Sequence, residues 1–234
     1  MGIQLNLCKN LSGSSLFIWR TKKKISTLFT ARDLENSWVI LESDYDIYYR
    51  DYTGPRMHRS ELSFHSDVRL LGYLLEILGN RVVGDNLEIG VWKGKSLAYI
   101  ENHSHSGISV GVDVCAFQFQ SDELLYFKKK FFPRAVLVCL SSEKAESEVE
   151  KYSGAFKLIH IDGSHQYYDV RQDFMRWSKK LVPGGFLVFD DFNDPSSPDV
   201  HKAVNDLCDE GMFDSYHILG VFQQFPNSFV LSKK

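Results

Sequence analysis

The 234-residue sequence predicts an α/β fold: a seven-stranded, mostly parallel sheet with an antiparallel hairpin at its C-terminal edge, preceded by an N-terminal cap segment. Two observations predict it. From Ser60 onward, helical and strand-like patterns alternate, which is how a parallel sheet covered on both faces reads in sequence. The last two strand-like runs, "DSYHILGVF" and "SFVLS", are instead separated only by a short turn around Pro226 and Asn227, as in a hairpin. Residues 1–60 lack that alternation and form an arm or cap, and residues 61–234 form the domain.

The elements follow in order. "ELSFHSDVRLLGYLLEILG" places Leu71, Leu74, Leu75 and Leu78 on one helical stripe, with Gly79 as its C-terminal stop. The strand "NLEIGV" comes next, then a helix opening at Gly94 to Ser96 and the strand "ISVGVDV". The helix "SDELLYFKKKFF" carries acids in its first turn and lysines near its end, matching the helix dipole. "RAVLVCL" is the third strand, and a polar helix around Glu143 to Tyr152 leads to the fourth, "FKLIHID". In "QYYDVRQDFMRWSKKLVPGG", Val170, Phe174, Trp177 and Leu181 share a helical face, and Gly184 and Gly185 end the helix. "FLVFDD" is the fifth strand, and after a Pro-rich loop the helix "DVHKAVNDLCDE" precedes the hairpin.

Composition excludes several classes. With 27 basic and 30 acidic residues the net charge is -3, without the basic surplus that backbone-directed nucleic-acid binding requires. No apolar run approaches the ~20 residues of a membrane span, and no signal peptide is recognisable, so a cytoplasmic protein is expected. Four cysteines without CxxC spacing read as reduced core residues. In the cap, Lys22 to Lys24 read as a solvated helix face, and "YDIYYRDY" suits a substrate lid, plain packing or a homo-oligomer contact equally.

Chemistry concentrates at the strand ends, where open parallel sheets bind ligands. "LEIGVWKGKS" places Glu88 in an apolar strand, then Gly90 and Gly94 around Trp92 and Lys93. A GxxxG loop beside a carboxylate is a poor cradle for pyrophosphate, which seeks bare amides at a helix N-terminus. It suits a ligand bearing ammonium or sulfonium charge. About 20 residues on, Asp113 ends the second strand where ribose-binding carboxylates stand in nucleotide-binding folds. Together they imply an adenosine-like ligand with a cationic amino-acid tail, S-adenosylmethionine.

On these residues the sequence resembles the class I S-adenosylmethionine-dependent methyltransferases, Rossmann-like enzymes: "LEIGVWKGKS" is similar to their first motif and "GVDV" to the acidic end of their second strand. The resemblance implies Glu88, Gly90 and Ser96 near the methionine portion, Asp113 on the ribose, and Ser141 or Ser142, in "CLSSE", near the adenine.

The fourth strand ends "HIDGSHQYYD" and the fifth "VFDDFND". As neighbours their ends lie ~5 Å apart, so Asp162, Asp190 and Asp191 converge. Carboxylates so crowded repel unless a cation joins them, and an all-oxygen set suits Mg²⁺, with Mn²⁺ or Ca²⁺ as alternatives. His165, three residues past Asp162, faces the same spot as a candidate general base. The DGxH and DD pair narrows the resemblance to metal-dependent small-molecule O-methyltransferases of the macrolide and aminocoumarin sugar type and their cephamycin-pathway relatives. That resemblance implies natural product biosynthesis, Mg²⁺ on Asp162, Asp190 and Asp191, Asp162 also beside the cofactor, and a small-molecule hydroxyl acceptor. A nicotinamide-dependent oxidoreductase is the alternative enzyme, disfavoured by the missing GxGxxG. A non-catalytic S-adenosylmethionine-binding partner protein is the second alternative.

Overall fold

The computed structural model describes residues 66–116, 118–222 and 228–234. The arm over residues 1–60, with the lysine triplet and tyrosine cluster, and the turn at Pro226 and Asn227 lie outside them.

In chain order the elements are α1 (Ser66–Leu78), β1 (Asp85–Ile89), α2 (Lys95–His103), β2 (Ser109–Asp113), α3 (Gln118–Phe131), β3 (Val136–Cys139), α4 (Ser142–Val149) and β4 (Phe156–Ile161). They continue with α5 (Tyr167–Trp177), a 3-10 turn (Ser178–Lys180), β5 (Leu181–Phe189), α6 (Pro198–Asp209), β6 (Tyr216–Phe222) and β7 (Ser228–Lys233). The strands form one sheet in the order β3-β2-β1-β4-β5-β7-β6. β1 to β5 run parallel, and β7 pairs antiparallel with both β5 and β6, as the sequence predicts.

Strand alternation sorts side chains to two faces. Ile89, Val112, Ile159, Ile161, Leu187 and Phe189 pack with Val170, Phe174 and Trp177 of α5 and Val204 and Leu207 of α6. Leu158, Phe186 and Val188 face the other way, against Leu70, Leu71, Leu74 and Leu75 of α1 and Ile100 of α2. Burying these clusters supplies the main drive to fold, at roughly 1.5–3 kcal/mol for each large aliphatic side chain. The polar residues Glu88 of β1 and His160 of β4 are paired in register on the α1/α2 face, so two ionisable groups interrupt the apolar layer there.

Three local expectations change. The helix through Trp177 ends there, not at Gly184: a 3-10 turn follows, and β5 begins at Leu181. Pro183 has no N–H to continue a helix and biases Val182 toward extended backbone. α3 starts at Gln118, so Asp122 and Glu123 fall beyond its first turn. Cys139 is exposed and Cys115 half-buried, both free, so neither is the core thiol expected. No helix among the described residues is long and apolar enough to cross a membrane.

Candidate functional site

The sheet's hydrogen-bond ladder runs one residue past the strand ends. Gly90 N–H donates to the Val112 carbonyl (2.8 Å), Asp162 N–H to Ile89 (2.8 Å) and Asp190 N–H to Ile161 (3.0 Å), so residues 90, 162 and 190 stand side by side at the carboxyl rim. Gly90 has φ 87°, and a Cβ there would overlap the Asp162 carbonyl. Its bare backbone therefore lets β1 and β4 exit together, a role different from the approach to a ligand that its sequence context suggests. Gly94, φ 83°, opens α2, and a Cβ there would overlap the Phe132 ring.

A cavity of about 820 Å³ opens above this rim. Of the cofactor-facing residues expected from sequence, Gly90, Ser96, Asp113, Ser141, Ser142 and Asp162 line it. Glu88 does not. It is fully buried, and its Oε1 meets His160 Nδ1 at 3.0 Å while Oε2 has no hydrogen-bond partner among the described residues. His160 forms the cavity wall in its place. Burial alone would lower the His160 pKa, but the Glu88 hydrogen bond and charge, with Asp162 and Asp190, overcome this and push it up to about 9.

Asp113 braces the glycine loop. Its Oδ2 accepts the N–H groups of Val91 (2.9 Å) and Trp92 (2.8 Å), and its Oδ1 accepts that of Cys115 (2.7 Å). The carboxylate thus fixes the loop's shape as well as facing the cavity. Ser142 is tied into structure too: its hydroxyl donates to Asp173 Oδ1 and accepts from the Trp177 indole at 2.7 Å. Ser141 precedes α4 as its N-cap residue without a side-chain capping bond.

Also lining the cavity, His165 has its Nε2 3.1 Å from Asp191 Oδ2 and 3.9 Å from Asp162 Oδ1. The hydroxyl of Ser197 holds its Nδ1 at 3.0 Å. Asp162 is the largest cause raising the His165 pKa; partial burial opposes it and the Asp191 charge adds to it. Asp190, held by a hydrogen bond from Ser228 Oγ (2.9 Å), is pushed up to about 6 by burial, with Asp162 and Asp191 adding repulsion. Asp162 is raised as well, by burial first.

Among the described residues, the three acids divide into two sets that share Asp162. His160, Asp162 and Asp190 form one, and Asp162, His165 and Asp191 the other, each with one ligand atom per residue within 4.8 Å of the rest. Both sets could hold a divalent cation: their ligand atoms lie within 4.8 Å of one another, and the carboxyls, raised by burial first and by mutual repulsion after it, would be stabilised by one. Sequence reasoning missed His160. The available signal was a histidine in "FKLIHID" at the same strand parity as Glu88 in "NLEIGV", two ionisable groups where apolar residues belong.

This strand order is that of a Rossmann-like methyltransferase fold, the fold that the resemblance of "LEIGVWKGKS" and "GVDV" predicts. Residues 87–192 match a protein-family model described as a methyltransferase domain. The chain is 30% identical over 144 residues to an uncharacterized protein of Acanthamoeba polyphaga mimivirus, an alignment covering 58% of this chain and 65% of that protein, or just under two thirds of its length. Among solved structures it superposes on an O-methyltransferase from Bacillus cereus in complex with SAH (TM-score 0.56, 13% identity, 99% of this chain and 96% of that one). It also superposes on a TDP-rhamnose 3'-O-methyltransferase of calicheamicin biosynthesis (TM-score 0.54, 17% identity, 94% and 96% covered). Likeness at such identities establishes the shared fold.

Proposed function

We propose that this protein is an S-adenosylmethionine-dependent methyltransferase acting on a hydroxyl oxygen of a small chelating acceptor, with a divalent cation at the acidic rim. The observation that carries this reading is one continuous cavity whose lining brings Gly90, Ser96 and Asp113 together with Asp162, His165 and Asp190. A site for an adenosyl ligand and a site for proton removal thereby share one chamber. The solved O-methyltransferases of the same fold, one with a sugar-nucleotide acceptor in its name, support it.

When bound, S-adenosylmethionine supplies an electrophilic methyl group, and a divalent cation lowers the pKa of a hydroxyl placed on it. The chain supplies the rest. Asp113 holds the glycine loop rigid through Val91 and Trp92. Asp162 and Asp190 would provide anionic oxygens for the cation, while Asp191 stands with Asp162 and His165 in the second set, and Asp162 lines the same cavity as the cofactor-facing residues. His165, oriented from behind by Ser197, presents Nε2 beside Asp191 as the proton acceptor. The carboxylates raise its proton affinity, and a general base so placed contributes typically 10²–10⁴-fold to the rate.

Calorimetry with S-adenosylmethionine, with and without Mg²⁺ and EDTA, tests the binding half. Labelled methyl transfer to a panel of vicinal diols and matched mono-alcohols tests the chemistry. The expected result is transfer to a diol that EDTA abolishes and that His165→Ala lowers by about 10²–10⁴-fold, with cofactor affinity nearly unchanged. An unaltered rate in that variant removes His165 as the base, and the absence of cofactor binding overturns the reading as a whole.

A further inference from the structure

We propose that His160 is itself a ligand of the cation, oriented by Glu88, and that the site therefore takes a divalent ion with affinity for imidazole, Mn²⁺ or Fe²⁺, in preference to Mg²⁺. The inference rests on the cation site proposed above and deepens it.

Glu88 and His160 are register partners on β1 and β4, and both side chains lie within the layer formed by Leu158, Val188 and the leucines of α1. Two ionisable groups in such a layer are costly unless paired, and the 3.0 Å contact between Oε1 and Nδ1 pairs them. That contact uses one ring nitrogen. A ring nitrogen also lies within 4.8 Å of carboxylate oxygens of both Asp162 and Asp190. If His160 served only to neutralise those acids, its ring would donate a hydrogen bond to one of them. Glu88 is instead its hydrogen-bond partner, and the ring borders the cavity.

An imidazole whose Nδ1–H is held by a carboxylate while the ring faces other acids is how proteins commonly orient metal-ligating histidines. Imidazole suits Fe²⁺ and Zn²⁺, and Mn²⁺, though mainly an oxygen-bound ion, stands above Mg²⁺ as an acceptor of a nitrogen ligand beside carboxylates. A set of one histidine and two carboxylates with the cavity on its open side leaves positions for an acceptor. The other set, Asp162, His165 and Asp191, keeps His165 beside an acid and available to a substrate proton.

The test uses the whole protein, stripped with EDTA and reloaded with Mn²⁺. Pulsed electron paramagnetic resonance is expected to show nitrogen coupling to Mn²⁺ in the wild type and in His165→Gln, and to lose it in His160→Gln. Calorimetry is expected to show Mn²⁺ binding more tightly than Mg²⁺, and Glu88→Gln weakening Mn²⁺ binding by about 10–100-fold. Bound Mn²⁺ without nitrogen coupling, or coupling that vanishes only in His165→Gln, overturns the assignment of His160 while leaving the acidic site standing. Failure of the wild type to bind either ion overturns the acidic site itself. Should His160→Gln not fold, the His165→Gln spectrum still decides: coupling there supports His160, and its absence overturns it.

Discussion

Trp92, Cys115 and Asp191 adopt left-handed backbone, with φ of 50°, 49° and 54°, and each follows the carboxyl end of a strand bordering the cavity. Non-glycine residues hold such angles at a cost of roughly 1–3 kcal/mol, and they cluster where function over-determines the backbone. Asp113 is what offsets that cost around β1 and β2, since it accepts the N–H groups of Val91, Trp92 and Cys115. Asp113→Ala leaves three donors without their acceptor. It should destabilise the fold by about 2–4 kcal/mol in urea denaturation and weaken S-adenosylmethionine binding; a variant equal to wild type in both would show that the loop does not depend on this carboxylate. Asp173 illustrates a titrating residue. Burial pushes its pKa up to about 6, against the lowering effects of Ser142 and Arg176. A carboxyl raised in the folded state gives stability that is full below its unfolded pKa, near 3.8, and is lost as pH rises through about 6. Asp173→Asn should therefore flatten the fall in stability between pH 5 and pH 7.5 by on the order of 1–2 kcal/mol, measured by denaturant midpoints at the two pH values.

At the scale of elements, the β1 exit loop and the β4 exit loop are one construction. Gly90 was legible as a position needing freedom, but its neighbour was not: the atom it makes room for is the Asp162 carbonyl, which comes from a strand about 70 residues later in the chain. Gly90→Ala, strained by both φ and contact, should cost about 1–3 kcal/mol and displace Asp162. Calorimetry should then show weaker cation binding along with the lower denaturation midpoint. Intact cation affinity in a destabilised Gly90→Ala would separate the loop from the metal site. Helices α4 and α5 are coupled in the same manner, through the Trp177 indole, the Ser142 hydroxyl and Asp173. The stripe that predicted α5 identified Trp177 as a packing residue, which it is, and missed its hydrogen bond because the partner lies in another helix.

For the molecule as a whole, a cation that binds only the folded chain stabilises it by mass action, by about 2.7 kcal/mol at a concentration 100 times Kd. Thermal melts with added Mn²⁺ against EDTA should show that rise, and Asp190→Asn should abolish most of it; an identical rise in the variant would place the ion elsewhere. The sequence by itself determined the α/β order, the antiparallel final strands and the strand ends that carry Gly90, Asp113, Asp162 and Asp190, because hydrophobic periodicity and chain punctuation are local properties. Local pattern also placed His165 beside Asp162, since only two residues separate them. Only the tertiary structure decided the pairing of Glu88 with His160, the division of the acids into two histidine-completed sets, and the use of Asp113 as a loop brace. Those depend on the register of β1 against β4 and on which loop amides fold back over β2. Register and closure come from packing between residues distant in the chain, and distances across a sheet are absent from any one stretch of it.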